Sequence, residues 1–247
     1  MLPPDDPSHA ARIRIFTPAG ELPFAGHPTI GTAWVLADER LVKDGSLEFT
    51  LEEAVGPVPV RGVRQNGRVT FWMTHPPLSF GEVFPHKAVA AALGMQESDV
   101  VDDVPAQIAS TGNPFLFVAL RNASLVDRAV SDPARLQKLL RKKAHGLFLF
   151  AAVGSGRLYS RMFSPDTAED PATGSASGPL GGYAVKYGLV ERRARVSLVS
   201  EQGTKMGRQS FVHIELTYGE DRDIPTHIEV GGGVMPVLSG TLSDLPD

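Results

Sequence analysis

The chain has 247 residues, 42% hydrophobic and 21% charged, a composition that supports a sizeable core and excludes disordered or fibrous classes. The net charge of −4 is spread along the chain, and the short basic run Arg141–Lys143 reads as a solvated helix end, so nucleic-acid binding is not expected. Cysteine is absent, which excludes disulfides, thiolate metal sites and cysteine acid/base pairs. No apolar run is long enough to cross a bilayer, and the N-terminal MLPPDDPSHAAR lacks the marks of a signal peptide, so a cytoplasmic protein without a membrane partner is expected.

In chain order, RIRIF from Arg12, SLEFTL from Ser46, VPVRGV from Val58 and RVTFWM from Arg68 alternate apolar and polar residues and predict half-buried strands. Gln65-Asn66-Gly67 between the last two predicts a tight hairpin. Helical spacing follows from His86 and from Asp132, where Asp-Pro supplies a cap and a first-turn proline. Strands resume from Pro114, Gly146 and Arg157. The proline step His75–Pro77 marks a lobe boundary, giving an N-terminal lobe over 1–77, completed by a strand segment at about 230–247, and a second lobe over 78–229. Gly231–Gly233 is expected to be a bend between strands.

An internal repeat organises the chain. RIFTPAGELPFAGHPTIG from Arg14 aligns with RMFSPDTAEDPATGSASGP from Arg161, matching Arg14 to Arg161, Phe16 to Phe163, Thr17 to Ser164 and Pro18 to Pro165. After one extra residue, Glu21 matches Glu169, Pro23 Pro171, Gly26 Gly174, and His27 Ser175. The offsets are 161 − 14 = 147 and 174 − 26 = 148. The helices that follow are apolar on nearly every face, which predicts burial. The architecture expected is α+β, two similar lobes related by an approximate twofold axis, each wrapping strands around a central helix.

Helix N-termini offer unpaired N–H groups and positive dipole ends, so Gly26-His27 and Gly174-Ser175 are expected to face each other across a cleft suited to a small carboxylate. His27 can carry a proton near neutral pH, Asp170 can accept one or orient a base, and Ser175 can hydrogen-bond an oxyanion or cap its helix. Taken singly, each of the three is more often a cap or turn residue, and the repeat is what promotes them. Asn113, in the turn STGNP, could reach the cleft, although a turn role is the plainer one. The scattered histidines show no metal-ligand spacing, so no metal is expected. A serine hydrolase is disfavoured because ATGSAS lacks the G-x-S-x-G elbow. Glu21 and Glu169 recur symmetrically, which favours a shared loop-anchoring role.

RIRIFTPAGELPFAGHPTIGTA together with RMFSPDTAEDPATGSASGPL resembles the phenazine-biosynthesis PhzF-like family, from about Arg12 to Ile228–Gly233. The resemblance implies the diaminopimelate epimerase fold, with a curved, mostly antiparallel sheet around a buried helix in each of two pseudo-twofold-related lobes, a homodimer and no cofactor. It also implies acid/base isomerisation of a small carboxylate such as dihydro-hydroxyanthranilate. Carried over by motif, His27, Asp170 and Ser175 are the polar active-site positions, with Gly26, Gly174, Thr173 and Asn113 expected to bind substrate. Epimerases of this fold use two opposed cysteines, and here the matching positions hold His27 and Ser175. Family members also carry an N-terminal strand, helix and strand with a SE[ST] glutamate that moves the proton, and that segment is expected to be missing before Arg12. Two readings follow: a cofactor-independent isomerase, inactive if the glutamate is lost, or a non-catalytic small-molecule-binding protein that keeps the cleft.

Overall fold

The computed structural model describes residues 1–17, 20–42, 45–165, 169–220 and 223–241. Pro18 of the repeat and residues 242–247 of the segment expected to complete the first lobe lie outside the described residues. The first half runs β1 (Ala11–Arg12), β2 (Ile15–Thr17), β3 (Gly20–Leu22), α1 (Gly26–Asp38), β4 (Glu48–Glu53), β5 (Gly56–Gln65) and β6 (Arg68–Thr74). After the His75–Pro77 link come β7 (Ser79–Phe84), α2 (His86–Ala92), β8 (Ala106–Ser110), β9 (Pro114–Ala119), α3 (Ala123–Arg128) and α4 (Pro133–Leu140). The chain continues through β10 (Leu147–Gly154), β11 (Arg157–Phe163), α5 (Gly174–Lys186), β12 (Arg195–Gln202), β13 (Ser210–Thr217) and β14 (His227–Gly233).

Among the described residues, twelve strands form one continuous sheet in the order β1-β4-β5-β6-β14-β13-β12-β11-β10-β9-β8-β7, and β2 and β3 form a separate ribbon. The two halves repeat one pattern. β1 pairs parallel with β4 and β4 antiparallel with β5, as β11 pairs parallel with β12 and β12 antiparallel with β13. β14 joins the halves, antiparallel to β6 on one side and to β13 on the other.

Local chemistry explains the elements. Asn66 and Gly67 both take positive φ, 50° and 76°, the turn that matches the twist of the strands it joins. The Asp132 carboxylate accepts from the Arg135 N–H at 3.0 Å with Pro133 in the first turn of α4. Along β6, Phe71 and Met73 are buried while Trp72 is half-buried on the opposite face, the alternation that places one face against the helices.

Three expectations change. RIRIF is not one strand: Arg12 belongs to the large sheet beside β4, and Ile15–Phe16 turn into the ribbon with β3. Gly231–Gly233 is not a bend but the end of β14, paired with Trp72, Phe71 and Thr70. A Cβ at Gly231 would lie 2.5 Å from the Trp72 ring, so glycine here admits an indole. The central helices also differ. Residues 175–185 of α5 are all buried, whereas α1 buries only the stripe Gly26, Thr29, Ala33 and Leu36. The reason is coverage: α5 packs against β8, β9, β13 and β14, and α1 chiefly against β6 and β14.

Candidate functional site

The helix starts decide the site. Ala25 is extended (φ −158°, ψ 137°) before α1, and Thr173 precedes α5; neither caps its helix with a side chain. The leading N–H groups of both helices therefore depend on other acceptors. The two starts meet directly. A Cβ built on Gly26 would lie 2.5 Å from the Gly174 Cα, and one on Gly174 2.8 Å from the Gly26 Cα. Each glycine is thus required first by the other helix, and the cleft opens beside the contact rather than between the two residues.

That cleft has a volume of about 530 Å³ and is lined by Gly26, His27, Met73, Ala172, Gly174 and the chain at 209–212 and 230–235. His27 is exposed and is the one titratable side chain among the described lining residues. A larger hollow of about 650 Å³ lies on the sheet face turned away from the helices. Among its charged residues, Arg61 is bidentate on Glu229 at 2.6 and 2.9 Å, and Glu215 accepts from the Ser197 hydroxyl.

Behind the second helix start, a buried network fixes the turn. The Thr173 hydroxyl donates to Asp170 Oδ2 at 2.7 Å, and the Thr173 N–H donates to Gln202 Oε1 at 3.0 Å. Gln202 Nε2 donates to the Asp170 carbonyl at 2.8 Å and to Thr173 Oγ1 at 2.9 Å. Asp170 is half-buried, and Thr173 and Ser175 are buried. The single hydroxyl hydrogen of Thr173 is committed to Asp170, so its side chain braces the turn. Asn113 is buried too, and its Nδ2 donates to the Phe24 carbonyl at 2.5 Å. It therefore ties the loop after β8 to the residue before Ala25-Gly26-His27.

The repeat extends to side chains. Arg14 forks onto Glu21 at 2.9 and 2.9 Å and lies over the Phe16 ring at 4.8 Å. Arg161 forks onto Glu169 at 2.8 and 2.7 Å and lies over Phe163 at 4.7 Å. Both glutamates are thus loop anchors. Two further residues escape the sequence patterns. Glu53 is buried against Thr29 of α1, and burial pushes its carboxyl up to about 7. His75 is buried, pushed down to about 3 by burial, with Nδ1 2.7 Å from Thr111 Oγ1 and its ring edge-on to Phe24. A buried carboxyl ending an alternating strand has no sequence mark that separates it from Glu48 or Glu52.

Residues 1–240 match the PhzC-PhzF family model, described as phenazine biosynthesis-like protein. The chain belongs to this family. A trans-2,3-dihydro-3-hydroxyanthranilate isomerase of Pseudomonas aeruginosa is 34% identical, over 90% of this chain and 75% of the relative. An uncharacterized isomerase of Mesorhizobium japonicum is 33% identical over 98% of this chain and 83% of its own. Among solved structures, a predicted epimerase of Pseudomonas aeruginosa superposes with a TM-score of 0.81 at 31% identity, covering 99% of this chain and 83% of that one. A probable proline racemase of Agrobacterium radiobacter shares the fold at 17% identity, with a TM-score of 0.68 over 98% of this chain and 75% of that one. The α+β fold of this PhzF-like chain is therefore that of the racemases and epimerases, with a histidine and a serine at its two helix starts.

Proposed function

We propose that the chain is a cofactor-independent isomerase that moves a proton between two carbons of a small cyclic or unsaturated carboxylate of the dihydro-hydroxyanthranilate kind. The observation that carries this reading is the meeting of two helix N-termini, Gly26 and Gly174, beside a cleft whose described lining offers one titratable side chain, His27. The N–H groups and dipoles of both helices favour a carboxylate there, with Ser175 buried behind the start of α5. His27 gives or receives the migrating proton, and Asp170, which accepts from the Thr173 hydroxyl behind the cleft, positions the start of α5. A double bond shifts as the proton leaves one carbon and returns at another, so the oxidation level is unchanged and no co-reactant is consumed. The names of the isomerase relatives support the same class of chemistry.

The single titratable lining group also favours a second reading, binding without turnover, because a proton shift is served best by a donor and an acceptor. The test is incubation with trans-2,3-dihydro-3-hydroxyanthranilate in deuterated solvent, with calorimetric binding in parallel. Isomerisation with deuterium entering the product, lost in His27→Ala and reduced in Asp170→Asn, is the expected result. Binding without exchange selects the second reading, and neither binding nor exchange overturns both.

A further inference from the structure

Glu53, the last residue of β4, is 7% exposed and lies behind the first turn of α1. Its Oε1 is 2.5 Å from Thr29 Oγ1, while the same hydroxyl is 2.7 Å from the Ala25 carbonyl oxygen. A threonine hydroxyl has one hydrogen to give, and a carbonyl has none. If that hydrogen goes to Ala25, the contact with Glu53 is a hydrogen bond only when the carboxyl donates. Glu53 Oε2 is buried without a hydrogen-bond partner among the described residues, and although the Thr29 hydroxyl and the Ala25 N–H each favour a carboxylate, burial outweighs both. Charged groups on the neighbouring elements are engaged elsewhere: Arg12 with Asp5, Arg14 with Glu21, Glu52 with His9 and Arg61 with Glu229. His27 on α1 and His75 after β6 form no ion pair with it among the described contacts.

The other half of the molecule shows what this position requires. Gln202 ends β12 as Glu53 ends β4, at an offset of 202 − 53 = 149, close to the 147 and 148 of the repeat. Its neutral amide presents one accepting and one donating end to the turn before α5. A protonated carboxyl offers the same pair of ends.

We propose that Glu53 is a positioning residue that, as a neutral acid, holds the Ala25-Gly26-His27 turn through Thr29 and the Ala25 N–H, in the role that Gln202 plays at the Ser175 turn. Ionisation transfers the Thr29 hydrogen from the Ala25 carbonyl to the carboxylate and loosens the turn that presents His27. The functional consequence rests on the reading of His27 as the reacting group, but the structural claim is measured without turnover.

The experiment is solution NMR of the Ala25 and Gly26 amides against pH in a His27→Gln background, which removes the imidazole's own titration. The expected result is a step in both amides with a midpoint near the carboxyl's value of about 7, absent when Glu53→Gln is added, with the shifts held at their low-pH positions. Thr29→Val is expected to shrink the step at Gly26, while Ala25, whose own N–H meets the retained carboxyl, still reports its titration. It also covers the case in which Glu53→Ala does not fold. In an active preparation with His27 intact, Glu53→Ala lowers kcat/KM by roughly tenfold or more, with kcat carrying most of the loss, and Glu53→Gln restores it. A step that persists in Glu53→Gln, or no step at all in the Glu53 protein, overturns the proposal. An inactive protein that shows the step sinks the isomerase reading and leaves the positioning claim standing.

Discussion

Gly26 and Gly174 touch at the starts of the two pseudo-equivalent helices, close enough that neither has room for a Cβ. The contact fixes how the two halves meet and therefore where the cleft and His27 lie. Gly26→Ala or Gly174→Ala is expected to cost about 1–3 kcal/mol by overpacking and to weaken ligand binding, both readable by urea unfolding and calorimetry. Gly31, one turn further along α1, has open space where a Cβ would go. Gly31→Ala should therefore stabilise by about 0.5–1 kcal/mol through helix propensity, which makes it the control for the unfolding measurement.

The paired arginines separate burial from geometry. Arg161 is 9% exposed and, besides Glu169, donates to the carbonyls of Val126 and Ala129 at 3.0 and 2.8 Å. Arg14 makes the same fork and ring contact at 56% exposure. Arg161→Ala leaves the half-buried Glu169 and the Val126 and Ala129 carbonyls without their partner and should cost about 3–5 kcal/mol, enough to threaten folding. Arg14→Ala should change stability little, since solvent screens the exposed pair. Equal losses in denaturant unfolding would show that the loop anchoring, not burial, sets the energy.

The repeat was legible in the sequence because it is carried by residues whose chemistry is local: the Arg-Glu fork, the proline, the glycine and the polar helix start. Of the site residues expected from the sequence, Gly26, His27 and Gly174 line one cleft, whereas Asp170, Thr173, Ser175 and Asn113 stand outside its described lining. What stayed hidden depends on tertiary distance. Nothing in AGHP or ATGS says that the glycines touch, and nothing in LEEAVG distinguishes the buried Glu53 from Glu52, whose oxygens accept the Asp5 and Asp6 N–H groups at the surface. The uneven burial of α1 and α5 was hidden for the same reason: both sequences are apolar all round, and coverage depends on strands far away in the chain.

The triple glycine of β14 offers a test of how the halves are joined. A Cβ at Gly231 would meet both the Trp72 ring at 2.5 Å and the Phe71 carbonyl at 2.9 Å. Gly231→Ala should therefore strain the β6–β14 pairing and destabilise by about 1–3 kcal/mol. In a Trp72→Ala background the penalty should shrink, since the ring that blocks the methyl is gone, leaving the carbonyl contact. A double-mutant cycle measures this coupling, and strict additivity would mean that the indole does not set the requirement.

Two buried groups give stability opposing dependences on pH. His75 falls from an ordinary 6.5 to about 3 in the folded chain, so between those values the unfolded chain holds a proton that the folded one does not. Its contribution is complete above pH 6.5 and is lost as pH falls toward 3. Glu53 rises from 4.5 to about 7, so between those values the folded chain holds the extra proton, and its contribution is complete below 4.5 and lost as pH rises through 7. Each slope is at most about 1.4 kcal/mol per pH unit, and the two oppose each other between 4.5 and 6.5. Relative to the wild-type protein, Glu53→Gln is expected to gain stability steadily from pH 4.5 to 7, and His75→Gln to gain it as pH falls from 6.5 toward 3. Urea unfolding across this range measures both differences. A Glu53→Gln difference that stays constant from pH 4.5 to 7 would mean that the folded chain already carries Glu53 as a carboxylate, and the hydrogen shared by Thr29, Ala25 and Glu53 would have to be reassigned.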